Sequence, residues 1–346
     1  MARALVLGAT GHIGAHVVRA LLADGHRVRA AYRNPRFLSL LEGLPVERVR
    51  VDLETLDGLR EALHGCDWVF HAAGYYPGIL EGAMRREDAV QQGTISTRRV
   101  CERLAEAAPA RVVFTSSAAT IRRVPGRAAT EADAMAGRPA PPPELSLYAT
   151  VKLAMEQEAL RAHRGGLPVV LVNPSVCIGE YDAHKFSGRL VLVFAKHRLP
   201  VYVDHTLNAV YTGDVGAGHV LAAERGRCGE RYLLANRDIT VKEVADIVAR
   251  AVGVAPPRWR LSPRLVRAAA GITEAWARVT RTEPLLPRAA VESLHSDQRL
   301  DAAKARRELG LPQTSIEEAI ARAVEWFQAH GELPSPGKRT TMCCAR

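Results

Sequence analysis

The sequence predicts an α/β protein: a doubly wound parallel sheet followed by a smaller mixed α/β lobe. Three observations carry this. Short, β-branched apolar runs alternate with stretches of helical periodicity through the first half of the chain. Gly8, Gly11 and Gly14 fall between the first such run and the first periodic stretch. The chain has 346 residues, 47% of them hydrophobic and 24% charged, enough to bury a sizeable core.

The elements follow in order. Residues 4–7 are a strand, and 12–23 a helix with Ile13, Val17 and Leu21 on one face, stopped by Gly25. Strands are predicted at 27–31, 46–51 and 68–71, with a helix over 56–63 before the last of them. A long helix covers 87–107, a strand 112–115, a helix 148–163 and a strand 168–172. Residues 122–147 hold five prolines and no periodicity, and read as a long loop. Beyond residue 178 the pattern is mixed, with a strand at 231–234 and helices near 215–224, 242–252 and 264–279. Ser315 and Glu318 make a capping box before Ile316, Ile320, Val324 and Phe327. The expected organisation is a dinucleotide-binding domain over 1–177, a substrate lobe over 178–330 interleaved with it, and a disordered polar tail over 331–346.

Composition excludes several classes. The formal net charge is +10, but only six of the 47 basic residues are lysines. Forty-one dispersed arginines reflect codon usage better than a nucleic-acid surface, and no zinc-finger spacing or basic block is present. No apolar run approaches the roughly 20 residues that span a bilayer. Six cysteines without a C-x-x-C pair read as reduced thiols of a cytoplasmic protein, and no metal site is expected.

The glycine spacing G-x-x-G-x-x-G, between a strand and a helix, suits a pyrophosphate. Glycine lets backbone approach the phosphates, and the helix start offers N–H groups and a positive dipole end. Gly8, Thr10, Gly11, His12, Ile13 and Gly14 are therefore cofactor candidates in a Rossmann-type domain. The second strand runs into Ala31-Tyr32-Arg33 with no acid for a ribose 2′-hydroxyl. Arg33, with Arg36 nearby, favours a 2′-phosphate and hence NADP(H), NAD(H) staying open. A solvated arginine is the plain alternative.

Tyr148 and Lys152 stand four apart on one helical face. A phenol with a reference pKa near 10 works as an acid–base group when an ammonium stabilises its anion. Lys152 is the only lysine in the first 184 residues. Ser116 and Ser117 end the fifth strand, where open α/β sheets bind ligands. A G-x-S-x-G elbow is missing, which argues against a hydrolase.

With these motifs the chain resembles an extended short-chain dehydrogenase/reductase over residues 1–330. GATGHIG, Asp52-Leu53, His71-Ala72-Ala73-Gly74, FTSSA, YATVK, Asn173-Pro174-Ser175 and residues 304–310 carry the resemblance. Within that superfamily it is similar to the dihydroflavonol 4-reductase-like branch and its hopanoid-associated sugar epimerases. The resemblance implies Ser117, Tyr148 and Lys152 as catalytic residues. It places Asp52 and Leu53 at the adenine, Ala72, Ala73 and Gly74 under the ribose and pyrophosphate, and Pro174 and Ser175 at the nicotinamide. Tyr75, Tyr76, Ser175 and Tyr181 are candidate substrate walls. It further implies a homodimer through the helices 87–107 and 148–163. Val90 stands where the family carries an asparagine, and Cys177 where relatives often carry proline. Cys177 reads as a small buried hydrophobe, and Asp214 as a helix N-terminal acid. The C-terminal Cys343-Cys344-Ala345-Arg346 has the outline of a prenylation box but ends in arginine, and reads as tail.

The expected function is NADPH-dependent reduction of a ketone or aldehyde on a small molecule. The alternatives are an NAD-dependent sugar-nucleotide epimerase or dehydratase, and a nucleotide-sensing regulator without catalysis.

Overall fold

A computed structural model describes residues 1–74, 85–137, 145–186, 188–197, 200–280 and 299–334. Tyr75, Tyr76, Cys343 and Cys344 lie outside these residues. Seven parallel strands form the main sheet: β1 (Arg3–Leu7), β2 (Arg27–Tyr32), β3 (Glu47–Arg50), β4 (Trp68–His71), β5 (Arg111–Thr115), β6 (Val169–Pro174) and β10 (Arg231–Leu234). Their order across the sheet is β10-β6-β5-β4-β1-β2-β3. The chain winds outward from β1 on one side and from β4 on the other, which opens a crevice at the strand ends between them. Three further strands, β7 (Val176–Ile178), β9 (Thr206–Tyr211) and β11 (Arg237–Thr240), make a second sheet. β8 (Val201–Val203) and β12 (Trp259–Leu261) pair by themselves.

Alternation along the central strands feeds two cores, because successive side chains point to opposite faces. Ala4 and Val6 of β1, with Val170 and Val172 of β6, pack under α1 (His12–Ala23) and α6 (Thr212–Arg225). Leu5, Leu7, Val169 and Leu171 face α2 (Leu59–Leu63), α3 (Arg86–Ala107) and α4 (Leu147–Arg164). A third core joins β7 and β9 to α5 (Arg189–His197), α7 (Val241–Val252) and α10 (Ile316–Ala329). The remaining helices are α8 (Pro263–Thr280) and α9 (Ala303–Leu309). Among the described residues, no helix is long and apolar enough to cross a membrane.

The strands and long helices lie close to where the periodicity puts them, with four differences. The helix expected over 56–63 begins only at Leu59, because Leu56 (φ +71°) and Gly58 (φ +74°) first turn the chain left-handed. The proline-rich stretch is not wholly loop: a short 3-10 helix, Glu131–Asp133, is held by a capping box at Thr130, and Ala129 bridges to Leu300. Only half of the capping box at α10 forms. Ser315 accepts from the Glu318 amide, while the Glu318 carboxylate takes the Arg322 guanidinium instead. Asp214 sits in the first turn of α6 as expected, but it also accepts from the Thr314 amide (2.7 Å) and hydroxyl (2.8 Å), tying α6 to the segment before α10.

Candidate active site

The crevice is lined first by the loop from β1 to α1. Gly8 has φ +84°, and a Cβ there would lie 2.8 Å from the Ala73 backbone. A Cβ on Gly14 would collide with the Gly8 carbonyl. The loop is thus pressed between the end of β4 and the first turn of α1, where only hydrogen fits. Gly11 caps α1 without a side-chain bond, and the first turn carries no acid. Helix geometry leaves the first N–H groups without intrahelical partners, so this turn presents donors and a positive dipole end. Thr10 is buried beside it. Ala72 and Ala73 are half-buried and Gly74 is exposed, the Ala72 amide being anchored on the Leu7 carbonyl at 3.0 Å. Two buried polar atoms at strand ends, His71 Nδ1 and Ser175 Oγ, have no hydrogen-bond partner. A glycine cradle without acids, rimmed by unused polar atoms, fits a dinucleotide.

At the outer strands, Arg33 follows β2 and is 68% exposed, 3.3 Å from Glu54 Oε1. Asp52 holds its own loop, accepting from the Glu54 amide at 2.8 Å, while the Leu53 carbonyl takes the Ser96 hydroxyl. The sequence shows no acid at the end of β2, but the fold delivers one to Arg33 from the loop after β3.

On the inner side, α4 places Tyr148 in its first turn, half-buried, and Lys152 one turn later, buried. Lys152 Nζ donates to the Thr115 carbonyl at 3.3 Å, two residues before Ser117. Burial lowers the Lys152 pKa to about 8, and the Glu156 carboxylate opposes that fall. Ser117 caps a short 3-10 turn, its Oγ accepting from the Ala119 amide. Lys152 and Ser117 are therefore brought to one end of β5, with Tyr148 one helical turn before Lys152.

Glu156, unremarked in the sequence, is the hub behind them. It is fully buried and accepts from Ser116, from Thr120 at 2.7 Å and from Asn173 Nδ2 at 3.0 Å. The signal was available: Tyr148, Lys152 and Glu156 repeat at four-residue spacing along one helical face. A second buried link runs from the Thr115 hydroxyl to His219 Nε2 at 2.8 Å. His219 Nδ1 meets the Val215 carbonyl at 2.7 Å. A carbonyl only accepts, so His219 donates there and accepts from Thr115. Burial brings its pKa down to about 4.

The other candidates are dispersed. Pro174 is buried at the end of β6. His12 is buried with Nδ1 3.8 Å from Asp182, and burial lowers its pKa. Tyr181 lies under Arg19 (3.8 Å) and edge-on to His16, so it packs on α1. Phe186, not foreseen, has its ring centroid 6.0 Å from that of Tyr148. Cys177 is buried, which pushes its thiol up to about 12. Val90 packs into the core beneath α3, and its carbonyl accepts from Thr94 at 2.7 Å. Among the described residues, no cluster of three or more His, Cys, Asp or Glu suits a metal ion.

Residues 4–235 match the model of the "NAD dependent epimerase/dehydratase family". A Synechocystis sp. protein named "Putative dihydroflavonol 4-reductase" is 34% identical over 333 residues, 94% of each chain. Sterol demethylase protein B of Methylococcus capsulatus is also 34% identical, over 95% of this chain and 99% of its own. A crystal structure described as a nucleoside-diphosphate-sugar epimerase from Pseudomonas aeruginosa superposes with a TM-score of 0.76. It is 27% identical and covers 96% of this chain and 99% of that one.

Proposed function

The chain belongs to the NAD dependent epimerase/dehydratase family as an extended short-chain dehydrogenase/reductase of the dihydroflavonol 4-reductase-like branch, an NAD(P)-dependent oxidoreductase, and on that premise we propose that it is an NADPH-dependent reductase of a ketone or aldehyde on a small organic molecule. The observation that carries this reading is the buried Lys152 ammonium on the Thr115 carbonyl, two residues before Ser117 and one helical turn after Tyr148, with an exposed Arg33 following β2. The relative named as a reductase supports it.

The dinucleotide would be held by the Gly8–Gly14 loop, Ala72, Ala73 and Gly74, with Arg33 at the 2′-phosphate and Pro174 and Ser175 at the nicotinamide. When bound, it supplies the hydride. The Ser117 hydroxyl donates to the substrate carbonyl oxygen, and Tyr148 gives that oxygen its proton as negative charge develops. Lys152, charged below about pH 8, stabilises the phenolate left on Tyr148. Its bond to the Thr115 carbonyl aims the ammonium.

A sugar-nucleotide epimerase is the second reading, supported by Glu54 beside Arg33 and by the description of the Pseudomonas aeruginosa structure. Denaturing the purified protein and weighing the released dinucleotide separates the two. An empty protein, or one that exchanges NADP(H) and oxidises NADPH with ketones, is expected. Stoichiometric NAD that survives purification would overturn the reductase. The expected homodimer through α3 and α4 is checked by light scattering at micromolar concentration.

A further inference from the structure

Phe186 is 43% exposed, one of seven exposed large hydrophobic side chains among the described residues. A single apolar residue at a surface is ordinary. This one differs in where it stands and in how it is held. Its ring centroid lies 6.0 Å from that of Tyr148, with the rings tilted by 44°, inside the range of aromatic pairs. Tyr148 is itself only half-buried, so both rings stay open to a small molecule at the start of α4.

The chain that carries Phe186 is pinned. The Asp182 carboxylate is fully buried and accepts from the Phe186 amide at 3.2 Å and the Gly188 amide at 2.7 Å. The Lys185 amide donates to the Asp182 carbonyl at 3.0 Å. Tyr181 (φ +66°) and Lys185 (φ +54°) are left-handed. Few residues other than glycine adopt that conformation, and such strain persists only where the surroundings over-determine the backbone. Here they do so on three sides. Tyr181 lies under Arg19 of α1, His184 packs on Phe37 with ring centroids 4.2 Å apart, and Lys185 pairs with Glu332 at 2.5 Å. A buried carboxylate, two strained residues and three outside contacts thus present an apolar ring beside the acid–base tyrosine.

We propose that Phe186 contacts the substrate and sets specificity, and that the substrate carries an apolar group next to the carbonyl that Tyr148 protonates. The inference rests on the reductase reading, in which the substrate oxygen meets the Tyr148 hydroxyl. A substituent on that carbonyl larger than a few carbon atoms then reaches the Phe186 ring, and the apolar area of both leaves water. A charged or strongly hydrated substituent would lose its water against the same ring without a partner in exchange.

The test uses the full chain with NADPH and two probe ketones, benzylacetone and butanone, which differ only by a phenyl group. The wild type should favour benzylacetone in kcat/KM. Phe186→Ala should cut that preference by at least about ten-fold, the scale of a lost apolar contact in a pocket, and chiefly by raising KM for benzylacetone. Phe186→Leu keeps an apolar surface and should hold the preference within about three-fold of the wild type. Phe186→Gln, similar in length but polar, should lose it as the alanine variant does. Circular dichroism checks that each variant folds. A wild type without preference would overturn the inference, as would an undiminished preference in whichever of Phe186→Ala and Phe186→Gln folds. So would no reduction of either probe by a protein that binds NADPH. The reductase reading fails separately, on stoichiometric NAD retained through purification.

Discussion

Arg231 Nη1 lies 3.0 Å from Glu156 Oε1, with Arg231 12% exposed and Glu156 fully buried. The pair ties β10, at the edge of the main sheet, to the helix that carries Tyr148 and Lys152. The other carboxylate oxygen holds Ser116, Thr120 and Asn173. One side chain thus fixes the ends of β5 and β6 against α4.

Glu156→Gln keeps the shape and removes the charge, leaving a nearly buried guanidinium without a counter-ion. Breaking such a pair costs about 3–5 kcal/mol. The thermal midpoint should fall by roughly 10 °C on the usual scaling for a chain of this size. The alkaline limb of activity should also move to lower pH, because Glu156 is what opposes the depression of Lys152. A midpoint unchanged within a degree would show that the pair contributes nothing.

Tyr148→Phe should lower kcat by about 10²- to 10⁴-fold, the range for loss of a positioned acid. Dinucleotide affinity should change little, because the Gly8–Gly14 loop is untouched. In the wild type, reduction should decline as pH rises through about 8, where Lys152 loses its proton. Below that value the ammonium is present, so the acid side is flat with respect to Lys152. A rate that climbs between pH 7 and 9 would contradict the assignment.

Much of this was legible in the sequence. The central strands β1, β4, β5 and β6 are short, largely apolar runs buried on both faces, and that pattern survives without tertiary context. The glycine loop was legible because collision leaves no other residue possible at Gly8 and Gly14. The Glu54–Arg33 approach and the bond from Asp214 to Thr314 were not, because they join segments whose proximity the fold alone creates. β7, β8 and β12 escaped for a different reason: each has only three residues, too few to display a period of two, while polar residues interrupt the apolar run in β9 (Asn208) and β11 (Arg237, Asp238), which were missed as well. Phe186 follows a non-periodic loop gathered by Asp182, which accepts from the Phe186 and Gly188 amides.

The exposed pair of Arg33 with Glu54 makes cofactor preference testable from both partners. Such pairs contribute at most about 1 kcal/mol, so a phosphate that offers two charges displaces the carboxylate. Arg33→Ala should weaken NADPH binding about 10- to 100-fold, the value of a charge-assisted contact, and leave NADH within two-fold. Glu54→Gln should tighten NADPH by up to about five-fold by removing the competitor. Titration of cofactor fluorescence measures both. Equal losses for NADPH and NADH in Arg33→Ala would remove the 2′-phosphate from its role.

Buried histidines lower the stability in acid: His12 is one, and His16, His71 and His219 are three more. Burial lowers the pKa of His16 to about 3, and of His71 and His219 to about 4. Unfolded, each takes a proton near pH 6.5. Between that value and the folded one the unfolded chain binds more protons, so stability must fall as pH falls. Each contributes up to about 1.4 kcal/mol per pH unit, and the three together up to about 4. Denaturant midpoints should therefore hold above pH 7 and drop steeply from about 6 to 4, before most carboxylates titrate. His219 can be isolated. His219→Leu alone strands the Thr115 hydroxyl, whereas Thr115→Val/His219→Leu removes donor and acceptor together. The double variant should fold and lose up to about 1.4 kcal/mol per pH unit of the slope between pH 6 and 4. An undiminished slope would place the acid sensitivity elsewhere.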